Sequence, residues 1–197
     1  YYNKPEQAGF RQHFRAVADA VDLPQIVYNV PGRTGQNIEP ETVAELATHE
    51  NIRAYKAASG DVAQISEVVE HTRTEDLAVL SGDDALTLPI CSLGGRGVIS
   101  VAGNVEPERT VELVAAAIEG DLDRARALHF ELSPLFRQLF AETNPIPVKA
   151  AMAIRGHAPE TLRSPLTELS AEPREELERI LADLDGSEPD AEPTEAA

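Results

Sequence analysis

Tryptophan is absent from this 197-residue chain, methionine and cysteine occur once each, and lysine appears only as Lys4, Lys56 and Lys149. With Cys91 alone, an internal disulfide is excluded, and a reducing compartment suits the chain. No apolar run reaches the roughly 18 residues of a membrane-spanning helix. The chain does not open on a basic segment followed by an apolar one, so neither a membrane nor a secretion signal is expected, and a cytoplasmic location is. Basic residues are scarce as well: 17 Lys and Arg against 34 Asp and Glu leave a net charge of −17. That sign argues against nucleic acid and anionic membrane surfaces as partners, because both would be repelled. It also repels acidic substrates unless a local cation captures them. The acidic C-terminus supplies only part of the excess, since Glu39 to Glu50 and Glu67 to Asp76 are acidic too. Such a carboxylate-rich, lysine-poor surface suits a salt-loaded cytoplasm and points to a halophilic source.

What is present is a hydrophobic share of 42 %, enough to bury a core. Short β-rich runs alternate with helical periodicity. Pro5 opens a helix with Phe10, Phe14, Val17 and Val21 on one face, and Gln25 to Val30 reads as a strand closed by Pro31-Gly32-Arg33-Thr34-Gly35. Pro40 to Ala47 is helical, Ile52 to Lys56 is a strand, and Asp61 caps a helix carrying Val62, Ile65, Val68 and Val69. Leu77 to Leu80 is a strand, Ala85 to Leu93 is helix-compatible, Gly97 to Val101 is a fourth strand, and Pro107 to Glu119 is a helix. Four strand–helix units with continuously apolar strands predict a parallel sheet covered by helices.

Beyond Gly120 the alternation stops. Asp121 to Leu132, Pro134 to Ala141, Ile146 to Arg155 and Pro173 to Leu184 read as helices with no strand between them. The expected organisation is an α/β unit over residues 1–119, a small all-helical domain over 120–184, and an acidic, Pro-containing disordered tail over 185–197.

Chemistry concentrates around Arg53-Ala54-Tyr55-Lys56-Ala57-Ala58-Ser59-Gly60, which puts one of the three lysines at a strand end among small neighbours. A desolvated lysine loses its proton more readily and becomes an amine able to form an imine with a carbonyl. The alternative is a strand-end lysine snorkelling to solvent. In a parallel α/β architecture the residues that follow the strands gather on one face. Here that set is Tyr2, Tyr28 with Arg33, Lys56, Ser81-Gly82 and Ile99-Ser100: an amine, two phenols and a guanidinium. Tyr28 and Arg33 each also fit a structural role, as a buried aromatic and a loop arginine. The histidines show no paired spacing, so no metal is expected. Asp83 and Asp84, directly after a strand, read as caps of the next helix. Gly94-Gly95-Arg96-Gly97 precedes a strand rather than opening a helix, the wrong side for a dipole-assisted anion site.

Taken together, Tyr1-Tyr2-Asn3-Lys4-Pro5, Val27-Tyr28-Asn29-Val30-Pro31-Gly32-Arg33-Thr34-Gly35, Tyr55-Lys56-Ala57-Ala58-Ser59-Gly60, Leu80-Ser81-Gly82-Asp83-Asp84, Gly97-Val98-Ile99-Ser100 and Asn144-Pro145-Ile146-Pro147-Val148-Lys149 resemble the dihydrodipicolinate synthase family of class I, Schiff-base aldolases. The resemblance runs from residue 1 to about residue 170. It implies the C-terminal half, strands 5 to 8, of a TIM (β/α)8 barrel followed by a small all-helical C-terminal domain, in a homotetramer. It implies further that Lys56 forms an imine with pyruvate without any cofactor, that Tyr28 shuttles protons, and that Tyr2 joins the relay from a neighbouring subunit. Arg33 would hold the carboxylate of aspartate semialdehyde, with Ile99 and Gly82 contributing to substrate binding. Ala57 departs from the glutamate that many members carry after the lysine.

About 120 residues cannot enclose a barrel that takes roughly 250. The chain is therefore expected to be the C-terminal portion of such an enzyme and inactive by itself. Two other functions fit less of the pattern: a 2-keto-3-deoxy sugar-acid aldolase of the same superfamily, and a non-catalytic assembly remnant. Arg33 within Pro31-Gly32-Arg33-Thr34-Gly35 favours the synthase.

Overall fold

A computed structural model describes residues 2–186. Three parallel strands, β1 (Gln25–Asn29), β2 (Ile52–Ala57) and β3 (Ala78–Ser81), pair in sequence order. They alternate with α1 (Gln7–Ala20), α2 (Pro31–Thr34), α3 (Pro40–Ala47), α4 (Val62–Thr72) and α5 (Thr87–Ser92). The register places Val27, Tyr55 and Val79 in one row and Tyr28, Lys56 and Leu80 in the next. Because side chains alternate across a sheet, the two rows face opposite ways. The first row is buried with Val43 and Leu46 of α3, Ile65 and Val68 of α4, and Ile90 of α5. The second row lies on the other face, where Ile26 and Tyr28 are exposed.

Helices α6 (Pro107–Glu119), α7 (Leu122–Gln138), α8 (Ile146–Ile154) and α9 (Ala171–Gly186) complete the described chain. Gly120, at φ 85°, ends α6 in the left-handed conformation that glycine adopts without strain, and turns the chain into α7. The apolar side chains of α6 to α9 share one cluster with Cys91, Ala102 and Val105, so the core is continuous across Gly120. Ion pairs reinforce it. Glu106, 6 % exposed, is held by Arg109 at 2.7 Å and by Arg155, while Arg109 also reaches Glu131 at 2.8 Å and Arg155 reaches Asp185.

Several expectations need correction. The fourth strand is reduced to a single bridge, Ser81 to Val98. Gly94 (φ 106°) and Gly97 (φ 143°) bend the chain into the ladder late, and the carboxylate of Asp84 then takes the N–H groups of Val101 and Ala102 at 3.1 and 3.0 Å. That pulls the segment into a 3-10 turn at Ala102–Asn104 instead of a strand. Asp83 does cap, accepting from Ala85 N–H, but Asp84 is buried and serves this second segment. Pro31–Thr34 is one turn of helix rather than irregular loop.

The helix expected from Pro5 starts at Gln7. The two helices expected on either side of Ser133 are the single α7, which runs through Pro134. Proline removes one backbone donor, but Ala125, Leu128, Leu132, Leu135 and Phe136 bury the same helix face before and after it, and tertiary packing holds the helix together. At the C-terminus, Asp185 and Gly186 belong to α9; the rest of the expected tail, residues 187–197, lies outside the described residues.

Candidate active site

Tyr28 and Lys56 are register partners on β1 and β2, and Leu80 partners Lys56 on β3, so adjacent strand ends bring a phenol beside an amine. The Lys56 Nζ lies 4.1 Å from the centroid of the Tyr28 ring. Lys56 is half-buried, and its desolvation pulls the ammonium pKa below the usual lysine value; the charge of Asp84 opposes this and pulls it up. Burial in turn raises the pKa of Asp84 itself, against the hydrogen bonds from Ser100, Ala102 and Val101. Burial thus favours the neutral, nucleophilic form of Lys56, which is what imine formation requires.

Gly82 follows β3, and its N–H donates to the carbonyl of Ala57 at 2.7 Å. A Cβ there would sit 2.9 Å from the Ala58 Cβ and 3.0 Å from both the Ala57 carbonyl oxygen and the Lys56 Cε. Glycine is needed at this point because the two strand ends approach so closely that a methyl group would push on the lysine stem. The N–H of Ile99 donates to the carbonyl of Ser81 at 2.9 Å, which leaves its carbonyl as the group it can offer a ligand. Arg33 stands on α2 and donates from Nη2 to the backbone carbonyl of Asn144 at 3.1 Å, bridging the strand ends and the segment ahead of α8.

These five residues line one open cleft of about 390 Å³, together with Phe136, Arg137 and Phe140 from α7 and with Asn144. The cleft therefore gathers Tyr28, Arg33, Lys56, Gly82 and Ile99. It does not include Tyr2, which is 85 % exposed. Ser81 is buried, and its hydroxyl donates to the carbonyl of Asp83. Three positive side chains, Arg33, Lys56 and Arg137, face this cleft on a chain of charge −17, so acidic ligands meet local cations despite the overall sign.

Sequence reasoning missed the site roles of Asp84, Arg137 and Asn144. Asp84 is the charge that faces Lys56, yet it reads as a cap because it follows a strand. Asn144 stands in a motif that carries the resemblance, but nothing local in the chain announces a partner 111 positions away. Arg137 has the look of a helix-surface arginine.

The fold and the site together define a protein with parallel α/β architecture whose cleft sets an amine beside a phenol at the ends of adjacent strands. The comparisons agree at the level of family. The model of the dihydrodipicolinate synthetase family matches residues 1–184, and the chain belongs to that family. It is 65 % identical over 196 residues to the 4-hydroxy-tetrahydrodipicolinate synthase of Haloarcula marismortui, a halophilic archaeon, covering 100 % of this chain and 64 % of that protein. Among solved structures it resembles dihydrodipicolinate synthase from Thermotoga maritima at 44 % identity and a TM-score of 0.92, over 94 % of this chain and 64 % of that one. It also resembles a chloride-inhibited dihydrodipicolinate synthase from Acinetobacter baumannii complexed with pyruvate, at 42 % identity and a TM-score of 0.91, over 94 % and 63 %. The chain thus spans a little under two thirds of the length of these relatives and forms part of a TIM-barrel fold.

Proposed function

We propose that this chain carries the Schiff-base side of a lyase that condenses pyruvate with L-aspartate 4-semialdehyde to 4-hydroxy-tetrahydrodipicolinate, in cytoplasmic lysine and diaminopimelate biosynthesis. The observation that carries the reading is Lys56: a half-buried amine with a depressed pKa, set over Tyr28 in a cleft that also holds Arg33, in a chain 65 % identical to a 4-hydroxy-tetrahydrodipicolinate synthase. The pyruvate bound by the Acinetobacter baumannii relative supports pyruvate as the first substrate.

The neutral Lys56 amine adds to the ketone carbon of pyruvate, and loss of water leaves a protonated imine. Removal of a methyl proton then gives the enamine, whose carbon attacks the aldehyde of the second substrate. The resulting alkoxide takes up a proton. Attack of the aldehyde substrate's own amine on the imine carbon closes the ring and returns the Lys56 amine. No cofactor enters this sequence, because the imine itself is the electron sink. Tyr28, beside the Lys56 Nζ, is the acid and base for these transfers. Arg33 offers the second substrate's carboxylate a charge-assisted fork, and Gly82 and the Ile99 carbonyl bound the pyruvate end. The rival reading as a sugar-acid aldolase leaves Arg33 without a partner on the acceptor.

In this reading the α/β unit that ends at residue 119 is the second half of an eight-stranded barrel, with three strands and the Ser81–Val98 bridge in place of the fourth, and 120–184 form the helical domain. The exposed sheet face bearing Ile26 and Tyr28 supports this, since a barrel interior would cover it. The exposure of Tyr2 suits a residue that acts on a neighbouring subunit's cleft in a homotetramer. The test is borohydride reduction of the complete protein in the presence of pyruvate, followed by peptide mass analysis. The expected adduct is on Lys56 and on neither Lys4 nor Lys149; labelling that persists in Lys56→Ala would refute the assignment.

A further inference from the structure

The buried face of the sheet carries a polar cluster directly behind Tyr28 and Lys56. Asn29 follows Tyr28 on β1 and Tyr55 precedes Lys56 on β2, so both lie on the face away from the cleft. They are 1 % and 0 % exposed. Asn29 Nδ2 donates to the Tyr55 hydroxyl oxygen at 2.9 Å and to Asn37 Oδ1 at 2.8 Å, while Asn29 Oδ1 accepts the N–H of Ile38 at 3.1 Å. Asn37 extends the cluster to α4, where its Nδ2 donates to Gln64 Oε1 at 2.6 Å. Burial raises the Tyr55 phenol above its usual pKa, against its hydrogen bonds with Asn29 and Gln64, so the group stays a neutral hydroxyl.

Holding β1 and β2 together does not need this cluster, because the ladder joins them and Tyr55 shares its core with Val27, Ile65, Val68 and Val79. Burying amides in an apolar layer is unfavourable unless they are bonded, and a bonded network holds its members in one arrangement. The Asn29–Tyr55 bond runs diagonally between the strands, since Asn29 partners Ala57 and Tyr55 partners Val27. A diagonal tie opposes any slide or twist of one strand against the other at the level where the phenol meets the amine. We propose that the Tyr55 hydroxyl is a positioning group for the imine chemistry: bonded to Asn29, it holds Tyr28 against Lys56 from the opposite face of the sheet. This inference rests on the function proposed above. Tyr28 transfers protons only from within hydrogen-bond reach, and a misplacement of about 1 Å can cost about 100-fold in rate.

The test uses Tyr55→Phe in the complete protein, which removes the hydroxyl and keeps the ring. Two measurements read the contact between Tyr28 and Lys56. The first is exchange of the pyruvate methyl protons in D2O without the second substrate, which follows proton removal from the imine. The variant should slow this exchange by about 10-fold, while borohydride trapping at saturating pyruvate still reaches its full extent on Lys56. The second is the pH midpoint of that trapping. The Tyr28 ring face favours the ammonium, so a displaced ring should move the midpoint down by about half a unit. Asp83, Asp84, Arg33 and Arg137, the charges that share this site, are left in place. In a Tyr28→Leu background the ring is gone, and adding Tyr55→Phe should then leave the midpoint where it is.

Unchanged exchange or an unmoved midpoint in Tyr55→Phe would overturn the inference, whether or not the melting temperature falls, since the hydroxyl would then only stabilise the fold. A midpoint shift of the same size with and without Tyr28, or loss of trapping in Tyr55→Phe, would overturn it as well, because the hydroxyl would then act on Lys56 without Tyr28. Exchange and trapping that are absent from the unaltered protein would overturn the proposed function, and this inference with it.

Discussion

Lys56 is governed by opposing influences of comparable kind. Desolvation pulls its pKa down, while the Asp84 carboxylate holds it up, and the Tyr28 ring face at 4.1 Å also favours the ammonium. Only the neutral amine adds to a ketone, so imine formation should rise with pH through the depressed pKa of Lys56. Removing the negative charge of Asp84 removes the influence that holds the ammonium. In Asp84→Asn the midpoint of the pH dependence of borohydride trapping should therefore move to lower pH. A uniform loss of trapping at every pH with an unmoved midpoint would mark Asp84 as purely structural, acting through its hydrogen bonds to Ser100, Val101 and Ala102.

Among the elements, α7 has two tasks. One face fills the core shared by the later helices, and its C-terminal end gives Phe136, Arg137 and Phe140 to the cleft. Its continuity through Pro134 rests on burial on both sides of the proline, with Leu132 and Leu135 completely buried. Leu132→Ala should cost about 2–5 kcal/mol, the range for truncating a buried leucine. Each kcal/mol should lower the melting temperature by about 2–4 °C for a chain of this size. Thermal denaturation measures this, and pyruvate trapping below the transition should persist because Leu132 does not line the cleft. A melting temperature unchanged by the substitution would mean that α7 is not held by that core.

At the scale of the molecule, charge dominates. A surplus of 17 carboxylates repels itself at low ionic strength, and at about 1 M salt the Debye length falls to about 3 Å. Stability and activity are expected to increase as salt enters the molar range, which denaturant melts and rate measurements across a KCl series would follow. A best performance in dilute buffer would contradict the adaptation to salt. The site escapes the general repulsion because Arg33, Lys56 and Arg137 converge on one cleft in which Asp83 is the single acidic residue among the described lining residues.

Local chemistry wrote much of this into the sequence. Three of the strands, the Asp61 cap, the helix from Pro40 and the helix from Pro107 to Glu119 follow from apolar periodicity and from proline and glycine placement, which act over a few residues. The lysine at a strand end follows in the same way, as do the tyrosine and arginine after the preceding strand. Tertiary structure decided the rest. It reduced the fourth strand to one bridge, because a buried carboxylate 14 residues before Val98 captured the N–H groups that follow it. It carried α7 through a proline because packing outweighed the lost backbone bond. It also brought Asn144 to Arg33, a contact across 111 positions that no local rule encodes, since long-range proximity is set by how whole elements pack and not by what stands next to what in the chain.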